Sequence, residues 1–461
     1  MDSQTKNLAK IAVPPLSQCG WVLAAVGVVL SACFAASSFN YNASLAAQLE
    51  KSSEVEDSIE NTAEQSTKAN PYSAVSYLTI GAVGFLGLVY GKTAQATNRF
   101  RAFLPALLLV LLATASIFWS EDIPTSVRRV AALGLMFLGC YGVTRLVSLQ
   151  QLALIFAVLG IGMAVVGVVV ELQLGMLHPL SSSYRFCGVD HPNNTAMNAS
   201  VAMLGAFALL ETAGRWRWSL LVSLLVVGAA VVIESKSRST AGATLLALVA
   251  MQGGRSGFQK SLRWAPAGVV ALGVLALLVG LLGQGGVDSA ASTAAMGRQE
   301  HVSSLTGRIP LWTLLLKMSS EHTLLGSGYG AFWNADRVEY VSFSQGWNVS
   351  HGHSIYINSL LELGVIGIPL MAWIVFNALY YSYTDYKATR DSGRLFAFGM
   401  AVLAVLHGLV ESHFSSRGIP FFVYIAILAY LTVSPVAPGA AQRAVARERA
   451  PKFYAVAGGS V

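Results

Sequence analysis

Two histidines separated by one residue are the most chemically informative feature of this sequence. His351 and His353 come directly before an apolar stretch long enough to form a helix. A neutral imidazole can take a proton from a hydroxyl group, and a helix N-terminus disfavours its charged form. The pair therefore predicts a general base, although two surface histidines without a chemical role would show the same spacing. A metal site is less favoured, because the further ligands His301 and His322 have no fixed spacing and cysteines are not clustered.

Three arginines lie in polar segments next to apolar ones and are candidates for binding an anion. Arg185, Arg238 and Arg308 carry a permanent positive charge, and the planar guanidinium matches phosphate oxygens two at a time. Such residues would suit a substrate that bears a diphosphate. The alternative for each one taken singly is an arginine that extends from the membrane edge into water.

Further polar groups follow the histidines. Ser354, Asn358 and Glu362 recur every four residues, which places them on one face of a helix. A carboxylate at the centre of a membrane costs about 2.5–3.5 kcal/mol, so Glu362 is expected to face protein or a wet cavity. The glycine-rich run Gly326–Gly330 has no strand before it and is predicted to be a flexible turn, with a substrate-binding loop as the alternative.

Membrane helices must position these residues. With 54% hydrophobic and 11% charged residues, the chain has too little polar surface to cover a soluble globule of 461 residues. A spanning helix needs about 20 mainly apolar residues. The predicted fold class is an all-α polytopic membrane protein with about twelve transmembrane helices and a long periplasmic loop between spans nine and ten. The predicted spans are Gly20–Phe39, Ala74–Tyr90, Phe103–Trp119, Val130–Val147, Leu152–Val170, Ala196–Leu210, Trp218–Ile233, Ala241–Met251, Ala265–Leu282, Ile355–Tyr381, Leu395–Leu409 and Phe421–Val433.

The distribution of charge supports this topology. The chain has 30 Lys and Arg against 23 Asp and Glu, for a net charge of +7. With cytoplasmic N- and C-termini in a bacterial inner membrane, the basic residues fall mostly inside, as retention of Lys and Arg on the cytoplasmic side during insertion predicts, and the acidic ones fall mostly outside. The basicity therefore indicates topology and attraction to anionic lipid, and nucleic acid is not expected as a partner.

The topology divides the chain into four parts. Residues 1–282 hold membrane helices one to nine with an acidic periplasmic loop at 40–70, and residues 283–352 form the long periplasmic loop. Residues 353–434 hold helices ten to twelve, and residues 435–461 form a basic cytoplasmic tail. Within the long loop, Pro310–Ser319 is predicted to lie flat on the membrane with the Trp312 ring at the headgroups.

Several of these segments, in this order, resemble the bacterial O-antigen polymerases, O-antigen ligases and related exopolysaccharide polymerases. Each motif is short, and together they cover about 150 residues beside the general helix pattern. The family commonly has Asn after the catalytic-type histidine, where this chain has Ser354. The motifs are Arg185 with Gly188 and Pro192-Asn193; Ser237-Arg238; Gly307-Arg308 with Trp312; Leu324 through Trp333; His353 through Tyr356; and Glu362-Leu363-Gly364 with Gly367.

The resemblance implies an inverting glycosyltransferase that needs neither a metal nor another cofactor. Its donor would be an undecaprenyl-diphosphate-linked glycan, held by Arg185 and Arg308 with Arg238 in second rank, while the histidine takes the proton of the acceptor hydroxyl. The spacing to Tyr356 and Glu362 favours His353 over His351 as that base. The catalytic candidates are thus His353 and His351, and the substrate-binding candidates are Arg185, Arg308, Arg238, Tyr356 and Glu362.

The acceptor would be another lipid-linked repeat unit in a polymerase or lipid A-core in a ligase. The runs Phe118-Trp119-Ser120 and Ala331-Phe332-Trp333 look more like those of exopolysaccharide polymerases, which favours the polymerase. The candidate partners are a chain-length regulator and a flippase, besides the lipid bilayer. A polysaccharide transporter and a membrane scaffold are the alternatives from other classes, and the two halves of the chain do not show the paired repeats typical of a transporter.

Overall fold

The computed structural model of the chain describes residues 71–91, 100–179, 184–256, 307–413 and 418–433, together with Val26 and Val29. These residues form helices, turns and irregular segments without a strand, which confirms the all-α part of the prediction. The α-helices are α1 (Pro71–Tyr90), α2 (Phe100–Ala115), α3 (Ile123–Leu146), α4 (Leu149–Gln173), α5 (Pro192–Leu209), α6 (Arg215–Glu234), α7 (Arg238–Ser256), α8 (Arg308–Met318), α9 (Ala335–Gln345), α10 (Ile355–Thr389), α11 (Ser392–Gly408) and α12 (Ile419–Val433).

Seven helical segments in the described part are long and apolar enough to cross a membrane, so the protein is a multi-pass membrane protein. They correspond to α1 to α6 and α10, and α11 and α12 are apolar but shorter. Helix α7, which contains the predicted span Ala241–Met251, is not among the seven. The total of twelve spans stays a prediction, because Ala265–Leu282 and all of Gly20–Phe39 except Val26 and Val29 lie outside the described residues, as do the acidic loop and the basic tail.

The last two helices form the centre of the bundle. Every residue of α12 from Ile419 to Leu431 is buried, and α11 is buried throughout its first half. A helix that is apolar on all faces can lie in lipid or in a protein core, and the burial of α12 places it in the core. Helix α12 packs against α2, α3 and α10, and α11 packs against α4, α5, α7 and α10. The chain that leaves α11 is therefore held rigidly from several sides.

Helix α10 is broken near its start. Gly364 has φ 69° and ψ −165°, a conformation open to glycine and strained for any residue with a Cβ. The break frees backbone groups, and residues 323–328 bond to them. The Ser327 N–H donates to Leu361 O (2.9 Å), the Gly328 N–H to Glu362 O (3.0 Å) and the Val365 N–H to Thr323 O (2.8 Å). The glycine-rich run is therefore docked into a broken helix, where the sequence predicted a flexible turn.

Helices α8 and α9 form a small unit on the outer part of α10, within the predicted periplasmic loop. Leu311 and Leu315 are fully buried beside residues of α9 and α10. The Trp312 indole N–H donates to Gly352 O (2.9 Å), so the loop packs back onto the segment before α10. That this ring lies at the headgroups stays a prediction, and the first part of the loop, 283–306, lies outside the described residues.

Polar contacts gather at both ends of the bundle. At one end, Arg255 donates to Phe207 O (2.8 Å) and Arg390 to Gly254 O (2.7 Å), so two arginines satisfy carbonyls at helix C-termini. This is the end that the charge pattern assigns to the cytoplasm. The segments before α5, α7 and α10 and after α11 lie at the other end. The orientation of the bundle in the membrane stays a prediction.

Candidate active site

A buried carboxylate lies at the centre of the candidate site. Glu411 follows α11, is 1% exposed, and has groups from three other segments around it. The last turn of α11 fixes it, because its backbone N–H donates to His407 O (2.9 Å). Burial raises the pKa of the Glu411 carboxyl, but the neighbouring His351 and His353 outweigh this effect, so the pKa lies well below its usual range. Glu411 is therefore an anion at neutral pH.

His353 bonds directly to this anion. Its Nδ1 lies 3.0 Å from Oε2 of Glu411, and the side chain is 11% exposed. Burial first, and then the neighbouring His351, lower the pKa of His353 to about 4, although Glu411 acts in the opposite direction. A neutral imidazole has one N–H, and a carboxylate can only accept, so Nδ1 carries the proton and donates it. Nε2 is left as a proton acceptor at neutral pH.

The backbone holds His353 in an unusual conformation. Its φ of 46° lies in the left-handed region, which is uncommon for residues other than glycine and recurs at active sites. The residue comes just before Ser354, whose side chain caps α10 by accepting from the Tyr356 N–H (3.3 Å). The sequence prediction that His353 lies at a helix N-terminus is therefore confirmed.

His351 is the more exposed of the two histidines. Its ring centroid lies 4.1 Å from that of His353, and its side chain is 40% exposed. Nε2 of His351 is 3.8 Å from Oε2 of Glu411, which is longer than a hydrogen bond. Trp347 packs on His353, with ring centroids 5.2 Å apart. The buried and hydrogen-bonded His353 is thus the better placed base.

Arg308 binds the second oxygen of the same carboxylate. It begins α8, and its Nη2 lies 2.5 Å from Oε1 of Glu411 while its Nε–H donates to Val410 O (2.8 Å). These bonds place a permanent cation beside the histidine pair and leave the side chain 15% exposed.

Arg185 reaches the same centre through one intervening side chain. Its Nη2–H donates to Asn193 Oδ1 (3.3 Å), and the Asn193 amide donates to Oε1 of Glu411 (3.4 Å). The Arg185 Nε–H donates to Ser235 O (3.1 Å), which ties the loop before α5 to the loop before α7. The structure therefore brings Arg185, Arg308 and the two histidines together at one end of the bundle.

A second buried carboxylate shapes the loop that carries Arg185. Glu171, at the end of α4, is 2% exposed. It accepts the backbone N–H groups of Cys187 (2.8 Å) and Gly188 (2.7 Å) and the hydroxyl of Tyr184. All three donors lie within four residues of Arg185 along the chain. Glu171 thus fixes the loop by charge-assisted hydrogen bonds.

The remaining predicted residues are placed less directly. Arg238 begins α7, whose first turn contacts the end of α11 through Thr240 Oγ1 and His407 Nε2 (3.0 Å). Tyr356 lies in the first turn of α10 and is half-buried. Glu362 lies two turns further on and accepts from the Gly328 N–H through its backbone oxygen (3.0 Å). Substrate binding by these three residues stays a prediction.

Sequence reasoning missed several groups at this end. Glu411 is the most consequential of them, and His191, His407 and His413 lie nearby. His413 Nε2 is 2.6 Å from Asn194 Oδ1, and His191 caps α5 by accepting from the Asn193 N–H (3.2 Å). The run Glu411-Ser412-His413 directly after an apolar span offered only a weak signal, because ionisable side chains are rare within a span but ordinary just beyond its end.

The same groups could in principle hold a cation. Within the part of the chain that the structure describes, His351, His353 and Glu411 offer three ligand atoms within 4.8 Å of one another. The guanidinium of Arg308 lies on the same carboxylate, so a divalent cation here would face a permanent positive charge at close range. The arrangement therefore favours proton transfer and anion binding, and the predicted absence of a metal stays a prediction.

Comparison with known proteins gives two matches. Residues 223–372 match the family model described as "O-Antigen ligase". The chain is also similar to the exopolysaccharide production protein ExoQ of Rhizobium meliloti (strain 1021), with 25% identity over 347 residues that cover 71% of this chain and 76% of ExoQ. The span matched by the family model includes Arg308 and both histidines, whereas Arg185 and Glu411 lie outside it.

Proposed function

Because the chain belongs to the O-antigen ligase and polymerase family, we propose that it is a glycosyltransferase whose donor is a glycan linked to undecaprenyl diphosphate. The acceptor is a hydroxyl group of a second glycan, and the site faces the periplasm. One observation carries the proposal. A neutral histidine, His353, bonds to the buried anion Glu411 through Nδ1. Arg308 contacts the same anion directly, and Arg185 reaches it through one intervening side chain.

The proposed reaction assigns a role to each of these groups. His353 Nε2 takes the proton of the acceptor hydroxyl while the acceptor oxygen bonds to the anomeric carbon of the donor. The bond between that carbon and the diphosphate oxygen breaks, and its electron pair leaves with undecaprenyl diphosphate. A single displacement of this kind inverts the anomeric configuration. Arg308 and Arg185 contact the diphosphate and stabilise the charge that develops on it.

The acceptor is proposed to be another lipid-linked repeat unit, which makes the protein a polymerase in O-antigen or exopolysaccharide synthesis. Similarity to a protein named for exopolysaccharide production supports this assignment. The run Phe118-Trp119-Ser120 also lies beside the docked loop, because the Trp119 indole donates to Leu325 O (2.9 Å). The second candidate is an O-antigen ligase that transfers the glycan to lipid A-core, which the description of the matching family model supports.

The test is to delete the gene and analyse the lipid-linked glycans. Single repeat units that accumulate on the carrier would support the polymerase, and long chains that accumulate there would support the ligase. Unchanged glycans would contradict both. Complementation with His353→Ala should lower product formation by about 10²–10⁴-fold at unchanged protein abundance, because a general base contributes that much.

A matched control separates the base from any other histidine. His178 lies in the segment after α4 and is exposed. His178→Ala should restore the glycans to wild-type levels. If His353→Ala also restored them, the protein would act without bond formation at this site, as a transporter or a scaffold would.

A further inference from the structure

Glu411 has two oxygen atoms with different partners. Oε1 accepts from Arg308 Nη2 (2.5 Å) and Asn193 Nδ2 (3.4 Å), whereas Oε2 faces His353 Nδ1 (3.0 Å). All three partners belong to segments in which the sequence predicted an arginine or histidine of the site, since Asn193 lies in the same segment as Arg185. Glu411 lies beyond the residues matched by the family model, which end at residue 372.

We propose that Glu411 is the positioning residue of His353, fixing the imidazole in the tautomer that has its proton on Nδ1 and its acceptor at Nε2. The proposal rests on the proposed function, since it assigns the carboxylate a role in the same proton transfer. When Nε2 takes the proton of the acceptor hydroxyl, the ring becomes an imidazolium, and the adjacent carboxylate stabilises its positive charge. The carboxylate stays ionised throughout, as the aspartate of a Ser-His-Asp triad does.

Because Arg308 also bonds to Glu411, the variant Glu411→Gln distinguishes a role in positioning His353 from a role as the partner of Arg308 alone. A glutamine at position 411 has one acceptor oxygen and one NH₂ group. Arg308 can only donate, so the amide oxygen must face Arg308 and the NH₂ group must face His353. Nδ1 then has to accept, the ring proton moves to Nε2, and the base loses its acceptor. If Glu411 served only as the partner of Arg308, the amide oxygen would satisfy that role and the ring would not change.

The first measurement reads the tautomer directly. The full-length chain is labelled with ¹⁵N-histidine, and His353 is assigned among the eight histidines by comparison with His353→Gln. Protonated and unprotonated ring nitrogens of a neutral imidazole give well-separated ¹⁵N signals. At neutral pH we expect the proton on Nδ1 in the wild type and on Nε2 in Glu411→Gln. The same tautomer in both proteins would overturn the proposal.

The second measurement is the rate of glycan transfer per amount of folded protein. Glu411→Gln is expected to lower it by about 10²–10⁴-fold, and Glu411→Asp to restore part of the loss because it keeps a carboxylate. The control is Asp385→Asn, which changes another buried carboxylate that pairs with an arginine, Arg394, at the opposite end of the bundle. We expect it to lower the rate by less than about tenfold.

The outcomes separate this proposal from the function on which it rests. A loss in His353→Gln, with neither a rate change nor a tautomer change in Glu411→Gln, would overturn the role of Glu411 and leave the transferase standing. A tautomer change with full transfer in both variants would uphold the placement by Glu411 and overturn proton transfer by His353. An equal loss in Glu411→Gln and Asp385→Asn would show a general effect of breaking a buried ion pair and would overturn the proposal.

Discussion

Gly364→Ala tests whether the break in α10 supports the site. A Cβ at this position would lie 2.1 Å from Leu324 O and 2.6 Å from Leu325 N, so the docked segment 323–328 would have to move. Both atoms belong to backbone, which cannot turn away as a flexible side chain can. The substitution therefore acts on the contact between α10 and the docked segment that follows α8, and it leaves the histidines and the arginines unchanged.

The size of the effect follows from what is lost. A non-glycine residue at φ 69° and ψ −165° costs about 1–3 kcal/mol. The three hydrogen bonds between the docked segment and the break contribute about 0.5–1.5 kcal/mol each. The total of roughly 3–7 kcal/mol is comparable with the stability of a typical domain, about 5–15 kcal/mol. We expect the apparent Tm to fall by on the order of 10 °C and the rate per folded protein to fall as α8, which carries Arg308, shifts.

The assay is thermal unfolding of the purified full-length protein in detergent, followed by glycan transfer with the fraction that remains folded. Gly134→Ala is the matched control. Gly134 lies inside α3, and a Cβ there would meet no atom within 4 Å, so the Tm should stay constant or rise. A Gly364→Ala protein that melts with the wild type and transfers glycan at the same rate would refute the support that we assign to this break.

Three further predictions concern acidity and the Arg185 loop. Burial and His351 lower the pKa of His353 to about 4, with Glu411 opposing and Arg308 lowering it further. The rate of glycan transfer should therefore stay constant as the pH falls through 6.5 and decline only near pH 4. A decline centred at pH 6.5 would contradict the assignment of His353 as the base. Burial also lowers the pKa values of His191 and His413 below 6.5. Between about pH 6.5 and pH 4 the unfolded chain therefore binds more protons than the folded one. The Tm measured by thermal unfolding should decrease as the pH falls through this range. Glu171→Gln puts an amide NH₂ group among backbone N–H donors at a cost of about 1–3 kcal/mol. When the concentration of the glycan donor is varied, the KM should therefore rise by about 5- to 150-fold with a smaller change in kcat. A change confined to kcat would contradict the positioning of Arg185.

The sequence predicted the helices well because the signals for them are local. Each of the ten predicted spans that fall within the described residues overlaps a helix, from Ala74–Tyr90 in α1 to Phe421–Val433 in α12. An apolar run of sufficient length has few alternatives in a membrane, since its backbone groups must bond within the helix. The break at Gly364 was not predicted, because it depends on residues 323–328 about 40 positions earlier, which take up the freed backbone groups.

The candidate site was predicted only in part, and the omission has a physical reason. Arg185, Arg308 and the histidines were recognised singly, because each residue type has its own chemistry. Glu411 was overlooked because a carboxylate just beyond a span looks like an ordinary solvated charge, and its meaning comes from the partners that the fold supplies from α8, α5 and the start of α10. An isolated anion at 1% exposure would be prohibitively costly, so its burial requires that cationic and N–H donors from those segments meet there. The carboxylate that the sequence analysis passed over is thus the group whose charge explains why the residues it did select lie together.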